Sequence, residues 1–547
     1  MKKLTPLQRF FKLIKLDKKD IYQIIFFAII SGLLSLSLPL GIQSIINLIQ
    51  AGVVSISWIV LVAIVVICVV LIGLLKLMQI KITEQIQQKI FIRSSLDFSV
   101  RIPKLKYELL QKHNILELSN RFFDTINIQK GVAKIILDYS AAILEIIFGL
   151  LLLTLYHPFF ILYGFLLFVL LFSIFYFSYQ KGIETSIKES KQKYKVAFWI
   201  QEIAKNNIFF KNYNHLEYAI TENNKNLEDY LTYRKKHFNI LTNQYIQLII
   251  FKAIITLSLL IVGGYLVINQ QMNIGQFIAA EIIILLVINS VEKIIVGLEV
   301  FYDVITAIEK VGEVMDLELD TIQKKDKKFE NINIELENIR YQNSKNFENI
   351  LKDISLKIPQ NQHLLIHGNN GSGKSTLLQI LAGISLPNSG LIYYDDGNFN
   401  KIELPDFQNN VGYIPSQGFL FKGTFIENIV LNNAYSENYL KTIIQALNLS
   451  DFLKQLPNSW QTDLQINGNQ IPSSIIQKII LARTLIQNPR ILILEDALDK
   501  IDEKESPSII DFVIETCITK TLIVVSKNPY WNLKIKQSIT LKNGLLC

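Results

Sequence analysis

Long apolar stretches alternate with charged ones through the first three hundred or so residues. Apolar positions run nearly unbroken from about Ile21 to Leu48, Ser57 to Leu77, Ile136 to Tyr156, Phe159 to Phe177, Tyr245 to Ile268 and Ile274 to Leu298. As helices rising about 1.5 Å per residue, these stretches can cross a hydrocarbon layer of about 30 Å. The pattern predicts six membrane spans arranged as three hairpins. The connections sort into two kinds. Ile49–Ile56, His157–Pro158 and Asn269–Asn273 hold no Lys or Arg, whereas the N-terminus, residues 78–135 and residues 178–244 are rich in both. Cationic loops stay on the cytoplasmic side, so both termini and the two long loops are expected there. Each long loop has about 60 residues, mostly without Gly or Pro, and is predicted to prolong the helices of the spans. Leu116–Asp124 and Ile203–Tyr213 are the segments expected to meet a cytoplasmic domain.

Beyond the last span the pattern becomes that of an ordinary soluble domain. The expected fold is an α-helical six-span membrane domain with long cytoplasmic extensions at 21–315, then an α/β P-loop domain at 334–547. A charged linker, residues 316–333, joins them, and residues 1–20 form a basic amphipathic segment on the cytoplasmic surface. That segment lacks the short apolar core and cleavage site of a signal peptide.

Composition agrees. Hydrophobic residues make up 50% of the chain and the mean hydropathy is +0.31, a membrane class rather than a soluble one. The formal charge is +8. Its Lys/Arg excess lies beside the apolar runs, so a lipid bilayer is the expected partner and nucleic acid is not. Cys68, Cys517 and Cys547 are too few and too far apart for a disulfide framework or a metal site. Within the spans, Glu145 and Glu281 are the deepest ionisable residues. They mark either function or an interhelical hydrogen bond. Lys252 is expected to snorkel to the cytoplasmic interface.

Candidate chemistry concentrates in one stretch. Gly368, Asn369, Asn370, Gly371, Ser372, Gly373, Lys374, Ser375 and Thr376 fit the pattern G-x-x-x-x-G-K-[ST] at every fixed position. A strand-like run, Leu364–Ile366, precedes it and a helix-like run, Leu377–Ala382, follows. In that setting backbone N–H groups and the helix N-terminus face phosphates, Lys374 reaches the β/γ-phosphates, and the Ser375 hydroxyl holds Mg²⁺. A nucleoside triphosphate with Mg²⁺ is therefore the expected ligand.

Six spans with two long cytoplasmic loops, then a P-loop domain, resemble a half-size ABC exporter over nearly the whole chain. The segment Asn273–Ala280 (NIGQFIAA) opening the sixth span is similar to the family's x-x-G-Q-L-I-A-F. The likeness is to exporters of the type 1 secretion class. Some of those carry a peptidase domain, and here only about 20 residues precede the first span, so none is expected. The resemblance implies a bacterial cytoplasmic-membrane protein, dimeric with itself or with a second half-transporter, with a periplasmic adaptor as a possible partner.

The resemblance also assigns residues, and many depart from the family pattern. Its adenine-stacking aromatic falls at Asn343, with Tyr341 either substituting or packing inward as a strand residue. The Q-loop glutamine position holds Ser416, with Gln417 one place later; Gln417 is also a candidate toward Mg²⁺. The signature reads Ile471-Pro-Ser-Ser-Ile475, so Pro472, Ser473 and Ser474 would face the partner's nucleotide. Gly468 matches the family, while Ile466 replaces its glutamate. The strand Ile491–Leu494 is followed by Glu495-Asp496 where the family has Asp-Glu. Glu495 would then take the Mg²⁺ role, and Asp496 would be the water-orienting base, one methylene short. A misplacement of about 1 Å can cost roughly 100-fold in rate, so slow hydrolysis is expected. Asp502 matches the D-loop aspartate. Lys527 stands where the switch histidine would be; it either completes the catalytic set with Asp496 as a point charge toward the γ-phosphate or is a solvated surface lysine.

Two functions fit these residues. One is an exporter driven by ATP, with slow hydrolysis. The other is a subunit with little ATPase activity, paired with a regular half-transporter and using ATP as dimer glue or regulator.

Overall fold

The computed structural model describes residues 4–52, 56–112, 114–320, 329, 332–342, 349–395, 402–431, 434–464 and 471–547. The chain divides into two units. Met1–Pro103 with Asn114–Glu318 forms the first; Lys104–His113 with Leu319–Cys547 forms the second.

Among the described residues, six helices are long and apolar enough to cross a membrane: Lys18–Gln50, Ile56–Lys104, Ile115–Tyr156, Pro158–Lys205, Tyr213–Ile268 and Ile274–Met315. The polar loops do prolong the spans. Continuous helices run over Ile56–Arg101, Ile161–Lys205 and Tyr213–Ser258, since no Pro interrupts them. The first span is broken at Leu36, between Lys18–Ser35 and Ser37–Gln50. Pro39 has no N–H to return to the Ser35 carbonyl, so the hydrogen-bond ladder lapses there. The sixth helix is the core of this unit: half of its most apolar window is buried, against none for the second. Glycines let the third helix approach it. A Cβ on Gly131 would fall 2.1 Å from Val304 Cγ2, and one on Gly149 would fall 2.9 Å from Val287 Cγ2.

The N-terminal segment is a helix, Pro6–Leu16, opened by a reciprocal Thr5–Gln8 capping box. It is packed rather than merely laid on a surface. Phe10 is buried and meets Phe301 edge to face, and Arg9 pairs with Asp316. Lys252, expected to snorkel, pairs with Glu292 at 2.5 Å. Glu145 accepts a hydrogen bond from Ser290 and lies 3.7 Å from Lys293. Glu145 thus makes an interhelical hydrogen bond, one of the two alternatives, whereas Glu281 is exposed on its unit.

The second unit is built on a six-stranded sheet in the order Leu545–Leu546, Ser538–Lys542, His363–Gly368, Thr521–Val525, Ile491–Glu495, Val411–Ile414. All neighbours are parallel except the first pair. Parallel order brings the carboxyl ends of five strands to one edge, where ligands of such sheets bind. A three-stranded antiparallel sheet, Asn349–Ile358, Asn333–Gln342 and Ser389–Asp395, packs beside it. The strand Ile491–Glu495 is buried on both faces. Ile491 and Ile493 join the core under the P-loop helix Lys374–Leu381, while Leu492 and Leu494 join the core around the helix Ser473–Ile486. By the two-residue period of a strand, Glu495 falls on the P-loop side.

Lys104–His113 belongs to this second unit, although the sequence places it inside the membrane domain. Leu105 pairs with Leu319 in an isolated antiparallel bridge and the Asp320 N–H donates to the Lys104 carbonyl at 2.6 Å. Most of the expected linker, including residues 321–328, lies outside the described residues.

Candidate nucleotide site

The P-loop leaves the strand His363–Gly368 and turns into the helix Lys374–Leu381 through glycines at positive φ. Gly371 has φ +80° and Gly373 has φ +100°, values that side chains with a Cβ rarely adopt. A Cβ on Gly373 would meet Leu351 Cδ2 at 2.9 Å, whereas one on Gly371 would point into open space. The Lys374 ammonium curls back over the loop and donates to the Gly368 and Asn369 carbonyls at 2.8 and 2.9 Å. The Ser372 hydroxyl is buried without a hydrogen-bond partner. Ser375 is exposed at the start of the helix. An open cradle, a movable ammonium and an unspent hydroxyl suit a polyphosphate, so these residues fit a nucleoside triphosphate.

Glu495 ends its strand with only 6% of its surface exposed. Its Oε2 accepts a hydrogen bond of 2.5 Å from the Tyr413 hydroxyl, which the neighbouring strand supplies. Burial and the adjacent carboxylate push the Tyr413 phenol well above its ordinary pKa, so it stays a donor.

Asp496 follows in a left-handed conformation, φ +47°. Asp is one of the few non-glycine residues that tolerate it. Its N–H donates to the Val525 carbonyl at 2.8 Å, and its carbonyl accepts from Gln477 at 3.3 Å. Burial raises its pKa, as do the charges of Asp499 and Glu495 and a hydrogen bond with Asp499; Lys527 opposes them. Asp499 in turn accepts from the Ser526 hydroxyl and, at 3.1 Å, from the Lys527 N–H. Asp496, Asp499 and Lys527 are thus brought together, although the Lys527 side chain itself is exposed.

Other expected residues are placed differently. Tyr341 is only 4% exposed and lies in the core with Leu351, Ile354 and Leu377. It offers no free ring face for adenine, so the inward-packing alternative holds. Asn343 lies outside the described residues, as do Ile466 and Gly468. Ser416 is half-buried and Gln417 exposed, just past the strand Val411–Ile414. Pro472 caps the helix Ser473–Ile486 without a side-chain hydrogen bond, and Ser473 is exposed beside half-buried Ser474. Asp502 is exposed, and its carboxylate accepts from the Lys504 N–H at 3.4 Å. Tyr413, Gln477 and Asp499 were not singled out in the sequence. Only Asp499 carried a signal there, as an acidic residue three places after Asp496.

Six membrane-length helices followed in one chain by a P-loop unit define a transporter architecture with a nucleotide site on its soluble side. Residues 21–291 match the family model of the ABC transporter transmembrane region, and residues 351–499 match the ABC transporter model. The chain belongs to the ABC transporter family, with the organisation of a half-size exporter. Its fold is that of a bacterial Atm1-family ABC exporter solved with ATP bound, with a TM-score of 0.84 at 14% identity over 97% of this chain and 95% of that one. The chain is 29% identical over 199 residues to the Lactococcin-G-processing and transport ATP-binding protein LagD of Lactococcus lactis, 36% of this chain and 28% of that protein. It is 31% identical over 180 residues to the Transport/processing ATP-binding protein ComA of Streptococcus pneumoniae, 32% of this chain and 25% of that protein. These matches span under a third of either relative's length.

Proposed function

We propose that the chain is an ATP-driven export half-transporter with slow intrinsic hydrolysis. The observation that carries this reading is the P-loop cradle at Gly368–Thr376 in one chain with six membrane-length helices. On this reading the loop's N–H groups take the phosphate oxygens. Lys374 leaves the Gly368 and Asn369 carbonyls for the β/γ-phosphates. Mg²⁺, held by Ser375 and Glu495 with Gln417 as a further candidate, would neutralise phosphate charge. Asp496 orients the attacking water, and Lys527 approaches the γ-phosphate as a point charge. Two chains sandwich two nucleotides, each chain's Pro472–Ser474 facing its partner's P-loop, with Asp502 at the same interface.

The chain sits in a bacterial cytoplasmic membrane with both termini inside. A periplasmic adaptor is a candidate further partner. An apolar or amphipathic compound, a lipid or a peptide would suit the pathway, and the resemblance to secretion-class exporters weighs toward a peptide or protein.

A second reading, a subunit with little ATPase activity paired with a regular half-transporter, is favoured by the engagement of Asp496 with Asp499. ATPase activity of the purified chain alone in lipid, beside Lys374→Ala, separates the two. A rate above that control is expected. Equality with it would leave the paired-subunit reading standing.

A further inference from the structure

In the second unit the strands Ser538–Lys542 and Leu545–Leu546 are joined by Asn543-Gly544 alone. Both turn residues have positive φ, +49° and +81°, the signs a type I′ turn requires and Asn-Gly favours. Lys542 and Leu545 face each other across the ladder, which leaves the Gly544 N–H outside it. That N–H donates to the carbonyl of Ser372, inside the P-loop, at 3.1 Å. The Gly544 carbonyl accepts from the Lys352 N–H at 2.8 Å. The backbones run so close that a Cβ on Gly544 would stand 2.3 Å from the Ile350 carbonyl oxygen. The same hairpin backs the start of the loop, where a Cβ on Gly368 would stand 2.4 Å from the Leu541 carbonyl oxygen.

We propose that Gly544 is a positioning residue of the nucleotide site: its N–H fixes the Ser372–Gly373 peptide so that the Gly373 N–H is turned toward a phosphate oxygen. The proposal rests on the reading of Gly368–Thr376 as a phosphate cradle. No peptide bond among the described residues is cis. In a trans peptide the carbonyl and the following N–H point in opposite directions. With the Ser372 carbonyl held against the hairpin, the Gly373 N–H points away from it, and it donates to no group among the described residues. A peptide free to flip would present its carbonyl to the phosphate and repel it. Holding the plane beforehand removes that state, so less ordering is left for the binding step. Only glycine suits position 544, because of its φ and of the Ile350 carbonyl.

The test is the ATP affinity of the full chain, made by cell-free synthesis into nanodiscs of phosphatidylethanolamine and phosphatidylglycerol, with thermal unfolding as the check on folding. Glycolic acid in place of Gly544 turns one amide into an ester and removes only the N–H. ATP binding at saturating Mg²⁺ should weaken by about 3- to 10-fold. Lactic acid in place of the exposed Cys547 is the control. It removes, from the same hairpin, the N–H that donates to the Thr540 carbonyl at 2.9 Å, and it should leave ATP affinity unchanged. Gly544→Ala and Gly390→Ala give a second comparison, since a Cβ on Gly390, at φ +99°, would also meet a backbone carbonyl, that of Glu337 at 2.6 Å. Both should lower the unfolding temperature, and only Gly544→Ala should weaken ATP binding. An affinity untouched by the Gly544 ester, or lowered equally by the Cys547 ester, would overturn the proposal. Lys374→Ala separates that result from a deeper one. If Lys374→Ala weakens ATP binding and the Gly544 ester does not, the role of Gly544 alone falls. If Lys374→Ala changes nothing, the phosphate cradle falls, and the role of Gly544 with it.

Discussion

A single carboxylate, Asp499, holds two loops of the nucleotide site together. It engages Asp496 on one side and takes the Ser526 hydroxyl and the Lys527 N–H on the other. The cost falls on Asp496. Burial raises its pKa first, then the charges of Asp499 and Glu495 and the hydrogen bond to Asp499, with Lys527 acting the other way. A base with a raised pKa gains its active, ionised form only at higher pH, so hydrolysis should fail on the acid side above the ordinary carboxylate range. Asp499→Asn removes one of the raising charges. It should move the acid limb of the pH–rate profile to lower pH, as measured in lipid at saturating Mg²⁺ and ATP. A limb that stays in place would show that Asp496 is not the titrating group. The P-loop was legible because its chemistry demands neighbouring residues at fixed spacing, which a sequence displays. Tyr413 and Asp499 owe their roles to contacts across strands and loops, and spacing does not record those. Tyr341 failed as an adenine platform for a related reason: a strand offers two faces, and the core claimed this one.

At the scale of elements, helix length and the cytoplasmic extensions were readable from unbroken polar runs without Pro. The break at Leu36 was not anticipated, although its cause, Pro39, is plain once the ladder is traced. Helix contacts were equally silent in the pattern, because glycine reads as apolar filler until a partner is known. Gly131 shows what is at stake. A methyl added there would stand 2.1 Å from Val304 Cγ2, so Gly131→Ala forces two helices apart and should destabilise the unit by about 1–3 kcal/mol. Gly164→Ala, whose Cβ would sit at 3.8 Å from Leu150 Cδ1, is the matched control and should be tolerated. Thermal unfolding in detergent distinguishes them; equal midpoints would mean that the third and sixth helices do not rely on this approach.

For the whole molecule, charge asymmetry in the sequence predicts the orientation. It is open to direct labelling. With Cys68, Cys517 and Cys547 replaced by Ser, a single cysteine at Gln271 should react with an impermeant maleimide from outside, and one at Lys225 should not. The reverse pattern would invert the assigned topology. The boundary between the two units was less legible. Lys104–His113 sits in sequence within the membrane domain, yet folds with the nucleotide unit. A polar segment next to a helix end looks the same in sequence whichever core receives it.

Chain order gives one contact a further consequence. Phe10 packs on Phe301, and Arg9 pairs with Asp316 across a separation of 307 residues. The ribosome delivers Pro6–Leu16 ahead of the membrane helices and its binding surface almost last among them. Through most of synthesis the first helix is therefore without its seat. The membrane unit becomes a closed body only when the end of the sixth helix has emerged, so a chain stalled before Phe301 lacks the latch as well as the nucleotide domain.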